Sequence, residues 1–286
     1  MTAIAERRWP DAFRHASLAA GGGVVLLVAL MALLAPLVAP HDPFLQNLDH
    51  RLIPPVWEAE GRWAHPLGTD ALGRDYLSRL IHGARISLLI ALAVGLLSGL
   101  IGTGLGLAAG YYGGWVDTAV LFVLTNRLAM PGVLITLAVV AIVGGSLTVV
   151  ILVLGFLNWD RFAVVVRSAA QREANRDYVL AASAHGSSAL RIMLAEILPN
   201  LVGPLLVVLT VEMAHAILIE AALSFLGLGV PPPNPSWGLM VNEAKDHIFF
   251  HPWMIFIPGI AIFTLVLAIN LVGDGLRDVL APEWRP

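Results

Sequence analysis

The chain has 286 residues, of which 58% are hydrophobic and 13% charged, whereas soluble domains average roughly 45–50% apolar and about 25% charged residues. This composition excludes an ordinary soluble globule and, with a mean hydropathy of +0.80, favours a bundle of membrane helices. A net charge of -3 provides no basic surface for nucleic acid, and the absence of cysteine excludes disulfides, thiolate nucleophiles and thiolate-bound metals.

Long apolar runs predict where the chain crosses a membrane, because a helix needs roughly 20 apolar residues to span about 30 Å of hydrocarbon. The sequence therefore predicts an all-α, polytopic membrane protein with six transmembrane helices. The predicted helices occupy residues 17–39, 86–116, 201–223 and 248–273, with two more between 118 and 159 that are divided at Gly144-Gly145-Ser146.

The run at 201–223 carries a carboxylate, Glu212, near its middle. A central carboxylate opposes insertion by about 2.5–3.5 kcal/mol, whereas each Leu, Ile or Val favours it by about 0.3–0.6 kcal/mol. Thirteen Leu, Val, Ile or Met residues lie in this run. Because the summed free energy of insertion of these residues exceeds the cost of the carboxylate, we expect the run to insert.

The distribution of basic residues predicts the orientation. With the N-terminus in the cytoplasm, the cytoplasmic segments 1–16, 167–200 and 274–286 carry nine arginines, against six basic residues in the outer segments. The positive-inside rule then places both termini in the cytoplasm. Arg7-Arg8 and the first apolar run could alternatively form a cleaved signal peptide, but its 23 residues exceed the roughly 7–15 of a usual signal core, so we expect a retained helix.

The loops complete the predicted organisation. It consists of a cytoplasmic tail with the first helix (1–40), a periplasmic or extracellular loop (41–85), a core transmembrane domain (86–273) that includes a cytoplasmic loop (171–200), and a cytoplasmic C-terminal tail (274–286). Residues 74–85 alternate apolar and polar side chains at helical spacing and are predicted to lie along the membrane face. Residues 227–237 contain four prolines, which predicts an ordered loop.

The cytoplasmic loop has the composition of a helical hairpin rather than of a linker. Residues 176–185 predict a short helix, and Gly186 follows where a helix end favours a residue with positive φ. Ser187 or Ser188 can cap the next helix, which is predicted to stop at Pro199. The small side chains of the first helix would let a partner surface approach closely.

Within this hairpin the sequence resembles the EAA loop of the inner-membrane permeases of binding-protein-dependent ABC importers. The resemblance runs from Tyr178 to Asn200 and rests on Ala181-Ala182, Gly186 and Leu198-Pro199. Further stretches are similar to the dipeptide/oligopeptide permease C branch of that family. They are HPLGTDALGRDYLSRLIHGARISL at 65–88, GYYGGW at 110–115, IEAALSFLGLGVPPPNPSWG at 219–238 and NLVGDGLRD at 270–278.

The chain departs from the family pattern at a few positions. Leu180 stands where the EAA motif opens with glutamate, which removes any ion pair made there with an ATPase. Phe122 and Thr125 stand where an arginine and an aspartate are expected in the third helix, and Val164 stands in place of another arginine, whereas Arg167 matches its neighbour.

The resemblance implies the fold of a type I ABC importer permease (MetI-like) in the bacterial cytoplasmic (inner) membrane. It also implies that the short helix is a coupling helix seated on a separate ATPase subunit, through which nucleotide-driven closure would rock the membrane helices. The implied partners are a homologous second permease, two ABC ATPases and a soluble substrate-binding protein. The implied coupling residues are Tyr178, Ala181, Ala182, Gly186, Leu198 and Pro199.

The chain itself is expected to bind no ATP. Its only lysine, Lys245, follows Ala244, whereas a phosphate-binding P-loop ends in Gly-Lys-Ser/Thr. ATP and Mg²⁺ would therefore belong to the partner ATPases, and no cofactor and no catalytic residue is expected in this chain. A metal site at His247 and His251 is not expected, because the neighbouring aromatic residues indicate an interfacial belt.

Four polar residues in the predicted helices are candidates for a substrate path, because ionisable groups in a membrane usually face a bundle interior or a water-filled route. They are Glu212, His215, Asn126 and Arg127. A structural role remains the alternative for each: Glu212 as a paired carboxylate or a group facing the second permease, and Asn126 and Arg127 as packing residues. Asp160 and Arg161 are expected to neutralise each other. A proton-coupled secondary transporter that uses Glu212 and His215 is the alternative function.

Overall fold

The structure is a computed structural model that describes residues 16–280, and this part of the chain is almost entirely helical. Five of its helices are long and apolar enough to cross a membrane, and a sixth crossing is possible if one bent helix pair counts as a single span. The predicted all-α fold with six transmembrane helices is therefore confirmed in this sense. Residues 1–15 and 281–286 lie outside the described residues, and of the predicted C-terminal tail (274–286) the described part, 274–280, continues the last helix instead.

The helices are labelled in chain order. They are α1 (Ala16–Leu33), α2 (Ala35–Val38), α3 (Tyr76–Tyr112), α4 (Gly114–Ala129), α5 (Gly132–Val143), α6 (Leu147–Leu157), α7 (Asp160–Ala174), α8 (Asp177–Ala184), α9 (Ala189–Phe225), α10 (Trp237–Ala244) and α11 (Trp253–Leu280). Short 3₁₀ turns occur at Leu48–His50 and Lys245–His247, and α9 contains a π-helical segment at Ile192–Ile197.

Helix α3 defines two ends of the bundle. Its 37 residues extend over about 55 Å at 1.5 Å per residue. The side chain of Asp75 caps its start by accepting a hydrogen bond from the Ser78 N–H (2.8 Å), and the loop at 39–75 lies at this "loop end". Near its other end, Leu107 packs in a cluster with Val179 of α8 and Ile192 of α9, which defines the "hairpin end".

The long helices alternate between these two ends. Glycine contacts show which termini are neighbours: a Cβ on Gly275 of α11 would lie 2.6 Å from the Cβ of Leu18 in α1, and one on Gly203 of α9 would lie 3.4 Å from the Cβ of Leu280. The described chain therefore begins and ends at the hairpin end, as an even number of crossings requires.

Helix α7 packs closely on α3 because glycines of α3 face it. A Cβ on Gly106 would lie 2.8 Å from the Cβ of Val166, and one on Gly110 would lie 2.6 Å from the Cβ of Ala170. Small residues let helix backbones approach in this way in membranes. The contact fixes α7, whose first residues line the cavity described below.

The start of α3 was predicted wrongly. The helix begins at Tyr76, ten residues before the expected position, so residues 76–85 belong to the long helix and not to a segment along the membrane face. The charge of Arg79 obscured this boundary. Its guanidinium is fully buried and bonds Asp70 (2.5 Å) and Glu243 (2.6 Å), so this arginine lies inside the fold rather than at a water-facing surface.

The predicted division at 144–146 is confirmed, but the flanking helices are broken elsewhere. Helices α4 and α5 meet at 83°, because Pro131 lacks an N–H and disfavours a helical conformation for Met130, which is extended at φ -97° and ψ 135°. A short break at Asn158 separates α6 from α7, and the two helices together form one candidate span that ends at Ala174.

Pro199 does not end a helix, contrary to the prediction. It lies in the first turn of the regular α-helical part of α9, directly after the π-helical segment Ile192–Ile197. There the Leu198 N–H donates to the carbonyl of Met193, five residues earlier. The wider turn accommodates the proline, so the hairpin continues without interruption into a membrane-length helix.

Candidate translocation site and coupling hairpin

The hairpin between α7 and α9 turns at Gly186, as predicted. Its φ of +80° lies in the left-handed region that glycine adopts without steric cost. The Gly186 N–H donates to the Ser183 carbonyl (2.9 Å) and the Ser187 N–H to the Ala182 carbonyl (3.1 Å), which is the pairing of a Schellman helix end. Ser188 then caps α9 by accepting a hydrogen bond from the Arg191 N–H (3.4 Å).

One side of the hairpin is anchored in the bundle. Val179 is buried with Ile192 and Ile197, and Ala182 and Leu198 pack against the same cluster. Two of the predicted coupling residues, Ala182 and Leu198, thus hold the hairpin to the fold instead of lying on its free surface.

The other side of the hairpin is exposed. Ala181 and Gly186 are exposed, and a Cβ on Gly186 would meet nothing within 4 Å. Three large apolar side chains are exposed beside them: Leu180, Leu190 and Leu194. Leu180 therefore presents an apolar side chain at the position of the motif glutamate.

Tyr178 ties the start of α8 to both neighbouring helices. Its hydroxyl donates to Glu173 Oε2 (2.8 Å) and accepts from Asn200 Nδ2 (3.2 Å). Desolvation and the hydrogen bond to Glu173 raise the pKa of Tyr178 to about 12, so the hydroxyl keeps its proton at physiological pH. Pro199, the last of the predicted coupling residues, is exposed beside Asn200 on α9.

A cavity of about 250 Å³ lies midway along the bundle, beside the bend between α4 and α5. Polar and apolar side chains of α4, α5, α6, α7 and α9 surround it. Its polar lining residues are Arg127, Thr136, Asn158, Asp160, Arg161, Glu212 and His215. Three of the four predicted path residues, Glu212, His215 and Arg127, are thus brought together here.

An ion pair between α7 and α9 forms part of the cavity lining. Arg161 Nη1 lies 2.7 Å from Glu212 Oε1, and the exposed fractions of the two side chains are 47% and 1%. The other carboxylate oxygen, Oε2, is buried and has no hydrogen-bond partner among residues 16–280. The pair therefore combines a buried anion with a cation that other molecules can reach.

The expected neutralisation of Asp160 by Arg161 was wrong. Asp160 Oδ1 accepts a hydrogen bond from the backbone N–H of Arg161 (2.9 Å), whereas the guanidinium extends to Glu212 on α9. Sequence reasoning missed this partner because 51 positions separate the two residues. The one available signal was Glu212 itself, a carboxylate in an apolar run that needed a counter-charge.

The remaining polar residues of α4 have structural partners. Asn126 does not line the cavity: it is exposed, and its Nδ2 donates to the Phe122 carbonyl within α4 (2.7 Å). Arg127 Nε donates to the Leu157 carbonyl at the end of α6 (2.9 Å), which fixes its guanidinium at the cavity. Arg167 binds Asp117 through two hydrogen bonds, one of them 2.7 Å long, and joins α7 to the start of α4.

A second charged network lies at the loop end. Asp70 Oδ2 accepts from Arg74 Nε (2.6 Å) and from Arg79 Nη1, and Glu243 of α10 accepts from both arginines. The network joins the loop, α3 and α10. Sequence reasoning assigned no role to these residues, because Glu243 lies 164 positions from Arg79.

Membrane-length helices around a charged cavity, with an exposed hairpin at one end, are typical of a membrane transport subunit. Comparison with known protein families identifies the class of transport subunit. Residues 102–286 match the family of binding-protein-dependent transport system inner membrane components, and residues 8–55 match the N-terminal TM domain of oligopeptide transport permease C. The chain belongs to this family of inner-membrane permeases, as its motifs predicted.

Curated relatives align with almost the whole chain. A dipeptide transport system permease protein of Haemophilus influenzae is 44% identical over 261 residues, covering 91% of this chain and 88% of the relative. A di/tripeptide transport system permease protein of Pseudomonas aeruginosa is 44% identical over 276 residues, covering 96% and 91%. The corresponding dipeptide permease protein of Escherichia coli K12 is 42% identical over 261 residues, covering 91% and 87%.

Among solved structures, the MetNI methionine ABC transporter in an inward-facing conformation has a similar fold. Its matching chain gives a TM-score of 0.57 at 19% identity, with 70% of this chain and 96% of that chain covered. This likeness confirms the predicted MetI-like fold. The family match and the permease relatives confirm the predicted location in the bacterial inner membrane.

Proposed function

We propose that this chain is one of two permease subunits of an ATP-driven importer for di- and oligopeptides or a related small solute. The observation that carries the proposal is the 42–44% identity to named di- and tripeptide permeases over more than nine-tenths of the chain. The second subunit would be a homologous permease, and a soluble binding protein would deliver the solute.

In this proposal the energy comes from two ABC ATPase subunits that hold ATP and Mg²⁺. The chain would have no ATPase site of its own and would receive the motion through its hairpin. The exposed α8 surface around Ala181 and Gly186 supports this role, as do the exposed Leu180, Leu190 and Leu194, which suit an apolar groove. The hairpin end would then face the cytoplasm, in agreement with the basic residues of the hairpin.

The solute would pass the cavity that contains Arg161 and Glu212. A peptide carries an ammonium group and a carboxylate, and the pair offers the complementary charge to each. Arg161 is reachable and bonded to Glu212, so a passing carboxylate could exchange with Glu212 at the guanidinium, and Glu212 could then accept the ammonium group. The buried charge would otherwise be costly within the bundle.

The proposal is tested by co-expressing the chain with the proposed partner subunits, purifying the complex and reconstituting it in proteoliposomes. We expect uptake of a labelled dipeptide that requires both Mg-ATP and the binding protein. Uptake by this chain alone, driven by a pH gradient without ATP, would instead establish the proton-coupled carrier, for which the shared cavity position of Glu212 and His215 is the supporting observation. ATP-dependent uptake of another solute class would retain the permease role and reject the peptide assignment.

A further inference from the structure

Three imidazoles and a carboxylate converge at the loop end, all of them from the loop at 39–75. His65 Nδ1 lies 2.9 Å from Asp75 Oδ1, and His41 Nδ1 lies 3.6 Å from the same oxygen. The His41 and His65 rings are 4.8 Å apart between centroids. On the far side of His65, its Nε2 lies 3.4 Å from His50 Nδ1.

Besides the hydrogen bond between His65 Nδ1 and Asp75 Oδ1, contacts with the loop and with α3 hold these groups in place. The other oxygen of Asp75 caps α3 through the Ser78 N–H. The backbone N–H of His41 donates to Ser78 Oγ (3.0 Å), and the backbone carbonyl of His50 accepts from the Thr69 hydroxyl. The loop and the start of α3 therefore hold the cluster, together with its own bond between His65 and Asp75.

The facing atoms are also withdrawn from solvent. The side chain of Asp75 is 1% exposed and that of His65 10% exposed, whereas His41 is 38% exposed and forms the open side. Yet His41 Nδ1 itself is buried and has no hydrogen-bond partner among residues 16–280. A buried ring nitrogen of this kind needs a hydrogen-bond donor, a hydrogen-bond acceptor or a cation, depending on its protonation.

We propose that His41 Nδ1, His65 Nδ1 and Asp75 Oδ1 bind a divalent transition-metal ion of the zinc class. One ligand atom from each of the three residues lies within 4.8 Å of those of the other two. Nitrogen and oxygen ligands at about 2.0–2.2 Å from tetrahedral zinc are about 3.3–3.5 Å apart. The two separations that involve Asp75 Oδ1, 2.9 Å to His65 and 3.6 Å to His41, therefore need only a small adjustment, and the metal would replace the proton of the bond between His65 and Asp75. Imidazole and carboxylate together suit zinc better than they suit calcium or magnesium, which prefer oxygen ligands.

His50 has a distinct role in this site. With the metal on His65 Nδ1, the Nε2–H of His65 would donate to His50 Nδ1, which sets the tautomer that binds metal. Mutating a residue that hydrogen-bonds to a metal ligand typically changes metal affinity by about 10–100-fold. His50 is therefore a positioning residue and not a ligand. The fourth tetrahedral position would remain open on the exposed side of His41.

Such a site would join two distant points of the loop, at His41 and His65, to the start of α3. It differs from the pair His247 and His251, which lies at the same end with ring centroids 6.3 Å apart. Among residues 16–280 no carboxylate completes a three-ligand group with that pair. The double variant His247→Ala/His251→Ala is therefore a stringent control, because it removes two imidazoles at the same end, one more than each test variant, without touching the site.

The test uses the full transporter, purified in detergent with an affinity tag that lacks histidine and stripped of metal with a chelator. We expect equilibrium dialysis against Zn²⁺ to show one high-affinity ion per copy of this chain. His65→Ala and His41→Ala should abolish it, His50→Ala should weaken it by about 10–100-fold, and the His247→Ala/His251→Ala control should retain it. Substitution by Co²⁺ should give the intense visible bands of a tetrahedral ion.

Two results would overturn the proposal: no tight Zn²⁺ on the unaltered transporter, or binding that is equal in the unaltered transporter, His41→Ala and His65→Ala. His41→Ala keeps the test sharp, because this half-exposed side chain makes no hydrogen bond to other described residues and its removal should not disturb folding. Size-exclusion elution of each variant with its partner subunits verifies that the complex is intact.

Discussion

Arg161 of α7 and Glu212 of α9 form an ion pair of 2.7 Å midway along the bundle. Each residue lies near the centre of a candidate span, 147–174 and 189–225 respectively. A charge at this depth is costly unless it is paired or faces water. The pair therefore explains how α9 keeps a carboxylate in an apolar run, and it places a reachable cation on a proposed solute path.

Replacing Glu212 by glutamine removes the anion while it keeps the shape of the side chain. We expect dipeptide uptake to fall about tenfold, equivalent to about 1.4 kcal/mol, because the path loses the charge that would accept the ammonium group. Uptake at saturating binding protein in proteoliposomes measures this effect. Glu60→Gln is the matched control, because it makes the same change at an exposed side chain outside the cavity. Unchanged uptake by the Glu212→Gln variant would contradict the path assignment.

Replacing Arg161 by methionine should instead lower stability. Glu212 would stay buried without its partner, and an unsatisfied buried polar group costs about 1–3 kcal/mol. The half-exposed position of Arg161 limits the loss, because water can partly replace the guanidinium. We expect a lower Tm in detergent, and we expect the double variant Arg161→Met/Glu212→Gln to recover most of it. If the second substitution lowers the Tm further, the two residues do not act as a pair.

Gly186 provides a test of coupling. Valine at φ +80° is strained, because β-branched residues are outliers in the left-handed region. We expect Gly186→Val to insert normally and to lose most ATP-driven uptake, since the exposed turn would no longer fit its partner. Gly186→Asn should retain more uptake, because asparagine tolerates this conformation.

A glycine with an equally open Cβ position but a helical backbone gives the control for that experiment. Gly104 of α3 is exposed and has nothing within 4 Å of its Cβ position. Normal uptake by Gly186→Val, or an equal loss in Gly104→Val, would count against a specific coupling role for the turn.

The sequence was informative where one local pattern determines the structure. Apolar runs located the membrane helices, and Gly186 located the turn, because both signals lie within one continuous stretch of the sequence. Contacts between distant residues were not accessible in this way. Arg79 was assigned to a surface segment because its partner Glu243 is 164 positions away, and Arg161 was paired with its neighbour instead of with Glu212.

Tyr178 gives a pH-dependent prediction for the hairpin. Its pKa is about 12 in the folded chain, against about 10 for an unperturbed tyrosine. The folded state therefore keeps a proton that the unfolded state releases, and the resulting stabilisation is complete below pH 10 and is lost as the pH rises to about 12. Tyr178→Phe should remove an ultraviolet titration step near pH 12, and protease digestion at pH 8 should cut its hairpin faster. A titration curve identical to that of the unaltered chain would contradict the assignment.

The buried network at the loop end should dominate local stability. The Arg79 side chain is 0% exposed and bonds both Asp70 and Glu243, and removing one member of a buried ion pair costs about 3–5 kcal/mol. We expect Arg79→Met to lower the Tm strongly, because Asp70 keeps a buried charge with one partner fewer, and to loosen α10 from α3, because Glu243 of α10 loses its bond to α3. Hydrogen exchange at residues 237–244 would report the loosening. Asp246→Asn is the matched control: its side chain is exposed at the same end of the bundle, so its exchange and Tm should stay unchanged. Equal effects of the two substitutions would show that the network does not hold the loop end together.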